Sequence, residues 1–180
     1  MSSANKAVCP PDRRFSIRDA RPDELDKVIK LVIEAFSEYE KAVPPAVWKS
    51  YIKDITDAGN RLRISQLIVA EADGQLAGSV TLYPDTVVLP DSGWPPGWAL
   101  IRLLAVQPGH RGKGIGRALV AECINRCRRQ GIRTIALHTA IMMGVAVRMY
   151  EKIGFTRAPE FDFSPRPGTV VMAYRYDKIK

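Results

Sequence analysis

Val106-Gln107-Pro108-Gly109-His110-Arg111-Gly112-Lys113-Gly114-Ile115-Gly116-Arg117 is the stretch of this 180-residue chain whose residue types and spacing could do chemistry. Glycines at 112, 114 and 116 alternate directly into what reads as a helix, so the backbone there can take positive φ and approach a ligand closely. A helix N-terminus adds unpaired N–H groups and the positive end of a dipole. Arg111, Lys113 and Arg117 place charge at the same spot. Together these suit a pyrophosphate. A Walker A loop needs Gly-x-x-x-x-Gly-Lys-Ser/Thr, and no such string occurs. The dinucleotide fingerprint, Gly-x-Gly-x-x-Gly, opens a βαβ unit. Here the spacing is Gly-x-Gly-x-Gly and falls past the middle of the chain. A phosphate cradle alone does not identify its ligand.

The charge distribution points the same way. The formal net charge is +8, and the segment from Arg102 to Arg133 holds eight Lys/Arg against a single acid, Glu122. A concentrated basic segment predicts an anionic partner, either nucleic acid or a polyphosphate cofactor. Charge that wraps a glycine cradle, instead of interleaving with aromatics, argues for no nucleic acid. Three cysteines, Cys9, Cys123 and Cys127, do not make a disulfide framework. Cys123 and Cys127 read as small buried hydrophobes on one helix face, and with His110 and His138 the only histidines, no metal site is expected. No apolar run approaches the roughly 20 residues that span a bilayer. Met1–Arg14 has no apolar core of a signal peptide. The expectation is a cytoplasmic protein with no membrane partner.

Several elements must position the cradle. Residues 1–13 read as a flexible leader and 14–180 as a single domain. Phe15 to Arg18 alternates like a short strand. Pro22-Asp23-Glu24 opens a helix with Leu25, Val28, Ile29, Val32, Ile33 and Phe36 on its apolar face. A second helix is predicted over 46–57. Gln66–Ala72 and Gln75–Tyr83 read as strands joined by an Asp73-Gly74 hairpin. Pro84–Gly97 reads as a loop able to move and cover a site. Trp98–Val106 is an almost unbroken apolar run that fits a central strand buried on both faces. Gly114–Gln130 and Val145–Ile153 read as helices stopped by Gly131 and Gly154. Thr134–Thr139 and Thr169–Tyr176 read as strands. The order β-α-α-β-β-β-α-β-α-β indicates an α/β protein with a mixed sheet.

Arg111-Gly112-Lys113-Gly114-Ile115-Gly116 resembles the Arg/Gln-x-x-Gly-x-Gly/Ala signature of the GNAT acetyltransferases, and Leu103 to Pro108 looks like the strand that leads into it. Tyr150-Glu151-Lys152-Ile153-Gly154-Phe155 looks like that family's Tyr-x-x-x-Gly-Phe segment. The resemblance is strong over residues 98–157 and extends in element order from 14 to 177. It implies the GNAT fold, a mixed central sheet of six to seven strands flanked by about four helices. It also implies acetyl-CoA as cofactor and an enzyme that transfers acetyl from it to a primary amine. The pantetheine arm would pair with the backbone of Leu104, Ala105 and Val106. The pyrophosphate would sit on Arg111, Gly112, Lys113, Gly114, Ile115, Gly116 and Arg117. The strands around 98–106 and 134–139 would splay to admit the thioester, and the partner would be a small-molecule or peptide amine. A homodimer is common among look-alikes, and the sequence leaves oligomeric state open.

Amine acetylation needs a deprotonated amine, donors for the oxyanion and a proton for the leaving thiolate. By resemblance Tyr150 is the general acid, with a free phenol pKa of about 10 against about 8.5 for a thiol. A backbone N–H from Leu104–Val106 would serve the oxyanion. Many relatives carry a glutamate near Leu100 as base, and others carry one where this chain has His138. An imidazole could take that proton, and a structural histidine bonded to backbone is the alternative. Relatives often have asparagine where Met143 stands. These two departures support an alternative function, a catalytically weak acyl-CoA-binding sensor. The acceptor pocket is expected from residues 35–60, Pro84–Gly97 and 161–168. Glu34, Glu38, Glu40, Asp85 and Asp162 are its candidate ammonium partners, and Trp48, Tyr51, Trp94 and Trp98 its apolar wall.

Overall fold

The computed structural model describes residues 15–57, 63–89, 92–165 and 170–179. The leader predicted over 1–13, with Cys9, lies outside the described residues. Seven strands and four α-helices follow one another as β1 (Ser16–Asp19), α1 (Leu25–Phe36), α2 (Pro45–Thr56), β2 (Gln66–Ala72), β3 (Gln75–Tyr83), β4 (Ala99–Val106), α3 (Ile115–Arg129), β5 (Ile135–Ala140), α4 (Gly144–Ile153), β6 (Thr156–Arg157) and β7 (Val171–Tyr176). The strands form one sheet in the order β1-β2-β3-β4-β5-β7-β6. Every neighbouring pair is antiparallel except β4 and β5, which run parallel with α3 as their crossover. The GNAT fold expected from the sequence is present. The two-residue strand β6 was not anticipated, because two residues carry no readable periodicity.

Local chemistry explains the boundaries. Glu24 accepts the Arg21 N–H at 2.8 Å, and Pro22 sits in the turn ahead of α1. Gly131 (φ +71°) and Gly154 (φ +111°) stop α3 and α4 in the left-handed region. Strand alternation then sorts side chains to two faces. Ile68, Ala70 and Ala72 of β2 pack under α3 and α4. Val69 and Leu67 pack under α1 and α2.

On β4 this sorting changes parity. Ala99 and Ile101 face the α3 side, yet so do Leu104 and Val106, while Leu103 and Ala105 face α1. The cause is a bulge. Ser79 pairs with Ala105 and Thr81 with Arg102, so Val80 stands opposite both Leu103 and Leu104. Leu103 has φ +52°, a left-handed conformation that a branched side chain rarely adopts. An unbroken apolar run hides such a flip, since either parity would be buried.

Gly78 marks a second constraint. A Cβ there would lie 2.9 Å from the Ala105 carbonyl and 3.0 Å from Ile115 Cγ2. Only glycine lets the first residue of α3 settle this closely on β3.

Among the described residues no helix is long and apolar enough to cross a membrane. Cys123 and Cys127 are fully buried, and burial pushes the Cys123 thiol well up and the Cys127 thiol to about 12. Both are packing residues, as their helical spacing predicted.

Candidate active site

The central feature is a parting of the sheet. β4 and β5 pair only at Ala99–Ile135, Leu100–Ala136 and Ile101–Leu137. Beyond Ile101, β4 runs five residues further with no strand on that side. The gap opens a cleft of about 1650 Å³ that reaches the glycine loop at one end and the Pro84–Gly97 loop at the other. A single small ligand usually occupies roughly 300–1,000 Å³, so this cleft has room for two molecules.

At one end stands the cradle. Gly112 has φ +77° and Gly114 φ +81°, and a Cβ on either would meet nothing within 4 Å. The open space over these glycines, beside the N-terminal N–H groups of α3, is what an anion would fill. No acid stands in the first turn of α3. Gly116 differs from its neighbours. It is helical, and a Cβ there would lie 3.3 Å from Met149 Sδ, so it serves packing against α4. The residues therefore fit a pyrophosphate at 112–115, with Gly116 setting helix contact.

The basic segment requires correction. Arg111 does not aim its guanidinium at the cradle. It bonds the Ala35 carbonyl at 3.0 Å and Glu38 at 2.8 Å, while Nε donates to the Val106 carbonyl at 3.3 Å. Arg126 pairs with Asp19 at 2.6 Å and Glu122 at 2.9 Å, and Arg129 pairs with Glu122. Arg126 lies eleven residues into α3, about 16 Å along the axis at 1.5 Å per residue. Arg126, Arg128 and Arg129 answer the negative end of the helix dipole, not a phosphate at its start. Of the cations beside the cradle, Lys113 and Arg117 form no ion pair with a described residue.

Tyr150 lines the cleft from α4 and is 5% exposed. Its ring packs on Phe155 at 5.6 Å, and its hydroxyl has no hydrogen-bond partner among the described residues. Burial holds the phenol well above its ordinary pKa. The phenol keeps its proton at neutral pH, while the raised pKa weakens the full proton transfer expected from an ordinary value of about 10.

His138 lies on β5 where the strands have parted. Its Nε2 lies 3.0 Å from the Phe161 carbonyl and so carries the hydrogen. Burial lowers its pKa, with the Phe161 hydrogen bond opposing. The ring is neutral at pH 7, with Nδ1 as its remaining acceptor. Leu100 and Ile101, at the alternative base position, are buried. Met143 caps α4 and lines the cleft, and its Sδ accepts from Thr139 Oγ1 at 3.8 Å.

Three predicted acceptor acids are otherwise engaged. Glu38 is tied to Arg111. Asp162 bonds Arg157 at 2.7 Å and the Ala173 N–H at 2.8 Å. Asp85 accepts from the N–H groups of Val87 and Gly97, both at 2.9 Å. That last clamp, with Thr86 Oγ1 donating to the Pro95 carbonyl, pins the loop expected to move. Glu34 and Glu40 are exposed and do not line the cleft. Of the predicted aromatic wall, Trp48, Tyr51 and Trp94 line the cleft and Trp98 stacks behind Trp94 at 5.8 Å. Residues 166–169 of the predicted substrate segment lie outside the described residues.

The fold is that of known acetyltransferases. A GNAT-family acetyltransferase from Staphylococcus aureus Mu50 superposes with TM-score 0.70 at 17% identity, over 91% of this chain and 98% of that one. PaiA N-acetyltransferase from Thermoplasma acidophilum, solved with coenzyme A, gives TM-score 0.70 at 19% identity, over 90% and 99%. The acetyltransferase (GNAT) family model matches residues 26–155, and the chain belongs to that family. Among curated relatives, mycothiol acetyltransferase of Cellulomonas flavigena is 40% identical over 106 residues, which are 56% of this chain and 29% of that protein. N-acetyltransferase 8 of Rattus norvegicus is 33% identical over 123 residues, 63% of this chain and 53% of that protein. The chain thus spans about half or less of the length of these relatives.

Proposed function

We propose that residues 14–180 form a single catalytic domain that transfers an acetyl group from acetyl-CoA directly to a primary amine of a small molecule or peptide. The observation that carries this reading is the parting of β4 from β5 beside the glycine cradle, with Tyr150 lining the gap. The cofactor supplies an activated acyl thioester. The N–H groups of 112–115 would hold its pyrophosphate, helped by Lys113 and Arg117. The unpaired edge of Leu104, Ala105 and Val106 would hold the pantetheine arm and offer an N–H to the oxyanion. Tyr150 would donate to the departing sulfur, and its place on the wall of the gap supports that role. His138 would take the amine's proton through Nδ1, directly or by way of water, with Nε2 anchored on Phe161. No covalent enzyme intermediate is needed, because the deprotonated amine can attack the thioester carbon directly.

Thiol release from acetyl-CoA across a panel of amines, with product masses recorded, tests the reading. Acceptor-dependent release with a mass gain of one acetyl group is expected. Acetyl-CoA binding without release to any amine would favour the second reading, an acyl-CoA sensor. That reading draws on the apolar Leu100 and Ile101 where relatives keep a carboxylate.

A further inference from the structure

Among the described residues, every carboxylate lining the cleft has an arginine partner. Glu38 pairs with Arg111 and Asp54 with Arg102, both at 2.8 Å, Asp162 with Arg157 at 2.7 Å, and Glu160 with Arg175 at 3.4 Å. An acceptor bearing several ammonium groups would find no unpaired carboxylate among these residues. Its extra charges would lose hydration without gaining a partner.

The wall beside His138 has the opposite character. The Trp94 ring lies 4.7 Å from His138 and 4.8 Å from Phe161, and Phe163 meets His138 edge-on at 4.9 Å. The apolar surface continues outward to the rim, where Val88, Phe163 and Val170 are 39%, 48% and 53% exposed. Of the eight exposed large hydrophobics among the described residues, six line this one cleft. Scattered apolar residues need no explanation, but apolar residues gathered around a concavity mark a binding site. The wall also has one unused polar group. The Trp94 indole N–H is buried and has no acceptor among the described residues, a costly state unless something fills it.

We propose that the acceptor is an arylalkylamine: a single primary amine on a short arm from an aromatic body, the ring seated against Trp94, Phe161 and Phe163. A hydrogen-bond acceptor on that body would meet the Trp94 N–H. This rests on the N-acetyltransferase reading and narrows it to a substrate class. The pinned loop fits the assignment, because the clamp made by Asp85 and Thr86 holds Trp94 in place before any substrate arrives.

Calorimetry on the full chain, with coenzyme A present so that no turnover occurs, tests it with 2-phenylethylamine, tryptamine, spermidine and a lysine peptide as probes. The aromatic amines should bind at least tenfold tighter than spermidine or the peptide. Phe163→Ala and Val88→Asp, both at exposed positions, should each weaken 2-phenylethylamine binding at least fivefold while coenzyme A affinity stays within twofold. Spermidine or the peptide binding as tightly, no aromatic amine binding, or unchanged affinity in both variants would overturn the proposal. Thiol release from acetyl-CoA in parallel separates the two readings. Aromatic amines that bind without being acetylated would leave this site assignment standing and remove the transferase reading. Acetylation of spermidine in preference to them would do the reverse.

Discussion

Replacing Tyr150 with phenylalanine separates what the hydroxyl does for stability from what it does for chemistry. The ring is buried against Phe155, so Phe keeps the packing. The hydroxyl has no partner among the described residues, and its removal should change stability by about 0.5 kcal/mol or less. In a domain of this size that is a shift in Tm of about 2 °C at most. If the hydroxyl serves the leaving sulfur, kcat should fall at least tenfold, about 1.4 kcal/mol of transition-state stabilisation or more. Acetyl-CoA affinity should hold. The pH dependence provides a second check. Burial raises the native phenol above its unfolded value of about 10, so the unfolded chain loses this proton first. Stability from this source is therefore full below pH 10 and falls as pH rises beyond it. Tyr150→Phe should flatten part of that alkaline loss. Stopped-assay turnover, calorimetric affinity and thermal melts at about pH 8 and pH 10.5 give all three numbers. Wild-type turnover would refute the acid role. A Tm loss beyond about 5 °C would refute the claim that the hydroxyl is structurally idle.

Three further outcomes follow from other parts of the molecule. Gly114→Trp places bulk in open space at φ +81°, so the fold should survive a strain of about 1–2 kcal/mol, while calorimetry should show acetyl-CoA binding abolished. Glu38→Gln breaks an exposed pair worth about 0–1 kcal/mol and should barely move Tm. It removes the carboxylate partner of Arg111 and leaves only its bonds to the Ala35 and Val106 carbonyls, and coenzyme A should bind at least twofold tighter; unchanged affinity would mean that the Arg111 side chain plays no part at the phosphates. The Arg18 guanidinium beside buried Glu24 holds that carboxyl at about 2. A depressed carboxyl stabilises above its unfolded pKa and loses that contribution as pH falls from about 4.5 to 2. Glu24→Gln should cost roughly 2 kcal/mol at pH 7 and flatten the acid limb of denaturant melts recorded from pH 6 down to pH 2.

Local signals were legible in the chain, and distant pairings were not. Helix ends at Gly131 and Gly154 and the hairpin at Asp73-Gly74 follow from backbone preferences of a few residues, and the structure places them within a residue or two. The glycine string announced its cradle for the same reason. Arg111 illustrates the limit. Its partner Glu38 lies 73 positions away, and nothing near either residue distinguishes an ion pair from a free charge. Asp85 and Asp162 were read as candidate ligands because short acids in loops look alike whether they bind substrate or their own backbone. For the first of these the available signal was the Asx turn, in which Asp85 accepts from the N–H two residues on, at Val87. The bulge at Leu103 and the close approach at Gly78 left no trace in composition, since each depends on what the neighbouring strand contributes.

The parting of β4 from β5 also bears on how the molecule assembles. The sheet divides into two antiparallel halves, β1–β4 and β5–β7–β6, joined along a seam of three residue pairs. The first half is a meander of sequence neighbours around β2–β3–β4, joined by the two-residue Asp73-Gly74 turn and by the fifteen residues 84–98, so its contacts are more local than those of β5 with β7 and can form earlier. The second half closes only when β7 returns from the end of the chain. Cooperativity between the halves then rests on that short seam and on the helices spanning it. Amide exchange should accordingly be slow within each half and faster along the β4 edge from Leu103 to Val106. The line along which the fold is least knit is the line along which we propose that the thioester enters.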